Sequence, residues 1–163
     1  ISTIAKENAL DIDIIQTKNL VQKLYYQLIE GNLKVPPYVL DFLKKCRNLG
    51  KKLAVATSSD SEKLKKNFHA ADLDFDLFDV IVTGDDVANK KPAPDIFLLT
   101  AEKLGVKIDE CLIVEDAVTG IVAAHAAGAR CLALTTTFSA DELSSADYLA
   151  ENLSRVPPHA LNW

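Results

Sequence analysis

Three polar clusters in this chain each follow directly on an apolar run, and each has the chemistry to meet an ion. In "ECLIVEDAVTGI" the run Leu112, Ile113 and Val114 leads into Glu115 and Asp116. Adjacent carboxylates at the end of a buried strand repel each other and lose hydration unless a cation or donors meet them. Magnesium, which takes a few carboxylate oxygens and keeps several waters, is the natural counter-ion. The plainer reading is that one of the two caps a helix beginning near Ala117, and Asp116 can do both. In "LAVATSSD" the hydroxyls of Thr57, Ser58 and Ser59 follow the strand, with Ser59 or Asp60 placed to cap the next helix. Hydroxyls and free amides at a helix start suit a phosphate oxygen, although an ordinary cap and turn explains these residues taken alone. In "VTGDDVANKKPAPDIF" Lys91 stands before Pro92, which disfavours helix there. A lysine aimed into a pocket offsets a phosphate as a point charge. Lys90 competes for that role, a solvated loop lysine is the bland alternative, and Asp95 is expected to cap the following helix.

The elements that must position these groups share one rhythm of amphipathic helix, glycine, apolar strand and polar turn. It runs through "YVLDFLKKCRNLG" into "KKLAVATSSD", through "DIFLLTAEKLG" into "VKIDECLIVEDA", and through "AVTGIVAAHAAG" into "ARCLALTT". In the first helix Val39, Leu40, Phe42, Leu43, Cys46 and Leu49 share a face, and Gly50 supplies a left-handed end. A further short strand is expected in "FDVIVTG". Short, continuously apolar strands alternating with helices predict an α/β fold, a doubly wound parallel sheet covered on both faces, from about Pro36 onward. Ligands of such sheets bind beyond the carboxyl ends of the strands, which is where all three clusters fall. The tail "ADYLAENLSRVPPHALNW" reads as a last strand and helix. Residues 1–33 are helical in pattern, contain no strand and end at "GNLKVPP", so the chain divides into a helical segment over 1–33 and the α/β core over 34–163.

Bulk properties exclude several classes. The 163 residues are 48% hydrophobic and 25% charged, as in a soluble globular domain, and carry a net charge of -5, which argues against a nucleic-acid surface. No run approaches the roughly 18 apolar residues that suggest a membrane helix. The three cysteines, Cys46, Cys111 and Cys131, are scattered among apolar neighbours and read as core thiols of a reduced, cytoplasmic protein. A monomer is expected.

Together the clusters resemble the haloacid dehalogenase-like superfamily, specifically its β-phosphoglucomutase-like and phosphatase branch with a helical cap. "VATSS" is similar to the family's second motif, "KKPAPDIF" to its third, and "LIVEDAVTGI" with "AAHAAG" to its fourth. The resemblance implies a Rossmann-like core, with residues 1–33 as the last part of the cap. It also implies that Thr57 and Ser58 hold a transferring phosphoryl group, that Lys91 stabilises its charge, and that Glu115 and Asp116 anchor Mg²⁺. The activity implied is a magnesium-dependent phosphatase of a small phosphorylated metabolite such as a sugar phosphate. A sugar-phosphate mutase and a catalytically silent phosphate-binding module are the alternatives. The family's nucleophile motif, Asp-x-Asp-Gly-Thr after a strand, does not occur in these residues and is expected ahead of Ile1. Asp11 and Asp13 in "LDIDII" lack the strand and the Gly-Thr, Lys18 and Lys23 read as solvated cap lysines, and "VPPYV" stands where the family has Pro-Gly. His125 is expected to be packed or half-exposed.

Overall fold

The computed structural model describes residues 13–162. Asp11 and Trp163 lie outside that range, as does the front of the 1–33 segment.

Helix α1 (Ile14–Ile29) begins on Asp13, whose carboxylate accepts from Gln16 N at 2.9 Å. Asp13 is thus a helix cap. Helix α1 leans on α3 through Tyr25, whose hydroxyl donates to Asn67 Oδ1 at 2.8 Å, and Lys63 sits 4.6 Å above the Tyr25 ring. Lys18 and Lys23 are exposed.

The remaining elements follow the expected alternation: α2 (Pro37–Asn48), β1 (Ala54–Ala56), α3 (Ser61–Ala70), β2 (Val80–Val82), α4 (Asp95–Leu104), β3 (Leu112–Glu115), α5 (Val118–Ala127), β4 (Arg130–Leu134) and β5 (Tyr148–Ala150). All strand pairs are parallel: β1 with β2, and β3 with β4 with β5. The chain therefore has a mixed α/β architecture with parallel strands, as its periodicity predicts. The strands form two sheets rather than one continuous ladder. Between them lies a slot of about 460 Å³, with Ala54 and Ala56 on one side, Leu112 to Val114 on the other, and Phe42 and Phe97 among its walls.

Strand β4 shows why its sequence has no polar alternation. Side chains of a strand point alternately to opposite faces. Cys131 and Ala133 enter a core with Val82, Ile96, Phe97 and Ile121, whereas Leu132 enters a second core with Phe42, Cys46, Ala150 and Leu161. Both faces are dry, so both registers must be apolar. Cys46 and Cys131 are buried, Cys111 is partly so, and all three are free thiols. Burial first, then the nearby charges of Glu115 and Asp147, pushes the Cys131 thiol up to about 12, which keeps it protonated and inert at neutral pH.

Two expectations change. The tail after β5 forms 3-10 turns at Leu153–Arg155 and Pro158–Leu161 rather than an α-helix, because Pro157 and Pro158 lack the amide donors a helix interior needs. Pro94, not Asp95, occupies the cap position of α4; the Asp95 carboxylate accepts instead from Asn89 Nδ2 at 2.9 Å.

The entry into β1 is fastened by Asp79. Its Oδ2 accepts from Leu53 N at 2.7 Å and from Arg47 Nη1 at 2.6 Å. The Leu53 amide bond and then the Arg47 guanidinium hold this carboxyl below its ordinary range. A folded carboxyl that binds its proton less tightly than the unfolded one contributes stability in full above the unfolded pKa, about 3.9. That contribution is lost as pH falls through the folded value. Asp79→Asn is accordingly expected to lower the urea midpoint at pH 7 and to converge with wild type as the pH is taken below the unfolded value; a constant offset across the series would refute the assignment.

Candidate functional site

β1 and β3 both deliver their carboxyl ends to one cavity of about 650 Å³. Its walls include Thr57, Ser58, Lys91, Glu115 and Asp116, so the five residues to which the resemblance assigned site roles are brought to a single place, whereas Ser59 and Lys90 are not among its walls. Glu115 belongs to β3, in register with Ala133 of β4, and Asp116 is the next residue out.

Lys91 is the hub. Its Nζ donates to Ala56 O at 3.2 Å, pairs with Glu115 Oε1, and lies 4.7 Å above the Phe97 ring. The two side chains of the ion pair are only 13% and 10% exposed, so this is a shielded pair bordering a cavity. The Lys91–Pro92 peptide bond is cis. Lys90 is exposed and reaches outward to Ser58 O at 3.3 Å. Of the two lysines, only Lys91 lines the cavity.

Thr57 Oγ1 accepts from Ser59 N at 3.1 Å, which leaves its hydroxyl proton to donate to an incoming oxyanion. The amides at the start of α3 are committed elsewhere: Lys63 N donates to the cap residue Asp60 and Ser61 N to Asp85 Oδ2. Two of the helix-start amides expected to help hold a phosphate, those of Ser61 and Lys63, are thus occupied by carboxylates. Asp85 and Asp86 act as turn acids, the latter accepting from Thr83 N at 2.7 Å.

Neither acid of the pair caps α5. Its cap position is Ala117 and has no side-chain cap bond. Asp116 instead accepts from Thr137 Oγ1 at 2.6 Å. Gly120, in the first turn of α5, is what lets Glu115 lie where it does: a Cβ at this position would fall on the Glu115 carboxylate. Glycine here makes room; it does not relieve the backbone.

The donor set suits magnesium. Two carboxylates present hard oxygens on one wall, and magnesium binds through one or two carboxylates with waters and substrate oxygens filling its shell. Among the described residues no group of three or more His, Cys, Asp or Glu could hold a metal ion. Glu115 and Asp116 are the residues here that would hold such an ion, as its carboxylate ligands.

Three lining or supporting residues escaped the sequence reading: Thr119, Thr136 and Thr137. The signal was available, since "ALTTTF" also follows a strand. His125 is half-exposed and pairs with Asp147 Oδ2 at 3.0 Å, away from the cavity lining. No helix among the described residues is long and apolar enough to cross a membrane.

The phosphoglycolate phosphatase of Escherichia coli (strain K12) is 31% identical over 144 residues, 86% of this chain and 57% of that protein. Protein CbbY of Rhodobacter capsulatus is 32% identical over 141 residues, 84% of this chain and 62% of that protein. The chain thus spans less than two thirds of the length of these curated relatives. Among solved structures, a CbbY variant from Rhodobacter sphaeroides in complex with xylulose-(1,5)bisphosphate matches with a TM-score of 0.80 at 28% identity, covering 94% of this chain and 70% of that one. The β-phosphoglucomutase of Clostridium difficile, at 23% identity and a TM-score of 0.73 over 86% of this chain and 63% of that one, shares the fold. The profile of haloacid dehalogenase-like hydrolases matches residues 2–134, and the chain belongs to that family.

Proposed function

We propose that this chain supplies the phosphate- and magnesium-binding core of a phosphomonoester phosphatase acting on a small phosphorylated metabolite such as a sugar phosphate. The observation that carries the reading is the shielded Lys91–Glu115 pair, set at the mouth of the same cavity as Thr57, Ser58 and Asp116. A lysine and a carboxylate held there suit a ligand that brings both negative oxygens and a cation. The phosphatase relatives support the reaction class. Helix α1, with the residues ahead of it, is proposed as the end of a cap.

In this mechanism the Thr57 hydroxyl donates to one phosphoryl oxygen and orients the group. Ser58 donates to a second. Lys91 offsets charge as it builds on the transferring oxygens, in a shielded site where a fixed charge counts for more than in water. Glu115 and Asp116 would hold Mg²⁺, which when bound would neutralise phosphoryl oxygens. The nucleophile is an aspartate supplied from outside these residues: its carboxylate attacks phosphorus, the ester P–O bond breaks, and the metabolite leaves as its alcohol after taking a proton. Water then attacks the aspartyl-phosphate, releasing orthophosphate and restoring the aspartate.

The test is hydrolysis of p-nitrophenyl phosphate by the protein extended with an Asp-x-Asp-Gly-Thr strand, with and without Mg²⁺. Magnesium-dependent phosphate release that Asp116→Asn abolishes is the expected result; metal-independent turnover would sink the metal assignment. The 163-residue chain alone is expected to bind orthophosphate without turnover. Turnover by that chain would place a nucleophile within it.

A further inference from the structure

Asp116 behaves unlike the other acids that stand next to helices in this chain. Asp13, Asp60 and Asp74 each accept from a backbone amide two or three residues on, as local caps do. Asp116 has no such bond, and Thr137, 21 residues away in sequence, is its hydrogen-bond partner among the described residues. The contact occupies Oδ2, and no bond to Oδ1 occurs among the described residues.

Thr137 is itself held in place at both ends of its loop. On one side Thr135 N donates to Ala150 O at 3.0 Å, continuing the β4–β5 ladder. On the other, Leu143 is fully buried in the core beside Val82 and Ile121. Between them Ser139 closes a local cap, its N and Oγ both donating to Glu142 Oε2 at 3.0 and 2.7 Å. Leu134 and Thr136 from the same stretch form part of the cavity wall. Threonine is β-branched and stiff about its first side-chain torsion, so an anchored backbone also fixes the direction of its hydroxyl.

We propose that Thr137 is a positioning residue for the cation: by holding Oδ2 of Asp116 it turns Oδ1 towards the metal and sets the affinity of the site. The proposal rests on the reading of Asp116 as a metal ligand. A carboxylate free to rotate presents its oxygens at random and must be ordered when the ion arrives, whereas a carboxylate already held does not. Partners that orient metal ligands in this way are worth about 10- to 100-fold in affinity.

The experiment uses the 163-residue chain and Mn²⁺ as the probe, with free Mn²⁺ followed by its electron paramagnetic resonance signal. Thr137→Val keeps the shape and removes the donor; Thr137→Ser keeps the donor. The expected result is Mn²⁺ binding weakened about 10-fold in Thr137→Val, near-wild-type binding in Thr137→Ser, and unchanged melting temperatures in both. Wild-type affinity in Thr137→Val, with binding lost in Asp116→Asn, overturns the proposal and leaves the site reading intact. Unchanged affinity in Asp116→Asn, or no Mn²⁺ binding by the wild type, overturns the site reading and the proposal with it. Weakened binding in Thr137→Val that Ser fails to restore, with a lowered melting temperature, makes the role merely structural and overturns it as well.

Discussion

In the protein extended with the Asp-x-Asp-Gly-Thr strand, Lys91→Met is expected to lower turnover by about 10²–10³, the scale for losing one preorganised charge stabiliser. It should also destabilise the fold, because it strips the partner from Glu115. Breaking one side of a buried ion pair costs about 3–5 kcal/mol, and a pair that borders a cavity should fall at the low end of that range. The two effects can be separated. Adding Glu115→Gln removes the orphaned charge, so the double variant should recover much of the lost stability while turnover stays low. Urea midpoints and kcat measured on the two single variants and the double variant provide the check. Recovery of turnover together with stability would mean that Lys91 merely neutralises Glu115 and never meets the phosphoryl group.

Gly120→Ala carries the second large effect, and here two rules oppose each other. Helix propensity favours alanine over glycine by about 1 kcal/mol. The new Cβ would nevertheless occupy the position of the Glu115 carboxylate. Carboxylates end flexible side chains and usually yield, but this one is tied to Lys91, so yielding means breaking the ion pair and withdrawing an oxygen from the proposed metal site. Turnover is therefore expected to drop by about 10², the scale for misplacing a catalytic group by an ångström. Stability should fall, though by less than in Lys91→Met, as propensity offsets part of the broken pair. Activity and Mn²⁺ affinity both at wild-type level would show that Glu115 has another acceptable position.

Much of the fold was legible because the chain repeats one physical unit. Most helices announce themselves by a 3.6-residue apolar stripe, α5 instead by a run of small apolar residues, and each buried strand by apolar residues in both registers, as Cys131, Leu132 and Ala133 illustrate. The chemistry was legible to the extent that charge is conspicuous: Glu115 and Asp116 stand side by side at the end of β3, and Lys91 reaches the first of them. Thr136 and Thr137 were not conspicuous, because uncharged turn residues look alike whether or not they face a site. The commitment of the α3 amides to Asp60 and Asp85 was hidden for a different reason. Asp85 lies 24 residues from Ser61, and only the pairing of β1 with β2 brings them together. Gly120 shows the same limit, since its reason for being glycine is a side chain on the preceding strand.

The Lys91 ammonium touches the carbonyl that ends β1 and the carboxylate that ends β3, and those strands belong to separate sheets. One lysine stem therefore ties two strand ends together at the cavity. Arginine would be the wrong replacement despite its charge, because its longer, planar fork would ask for two oxygens in one plane where the chain offers a carbonyl on one side and a carboxylate on the other.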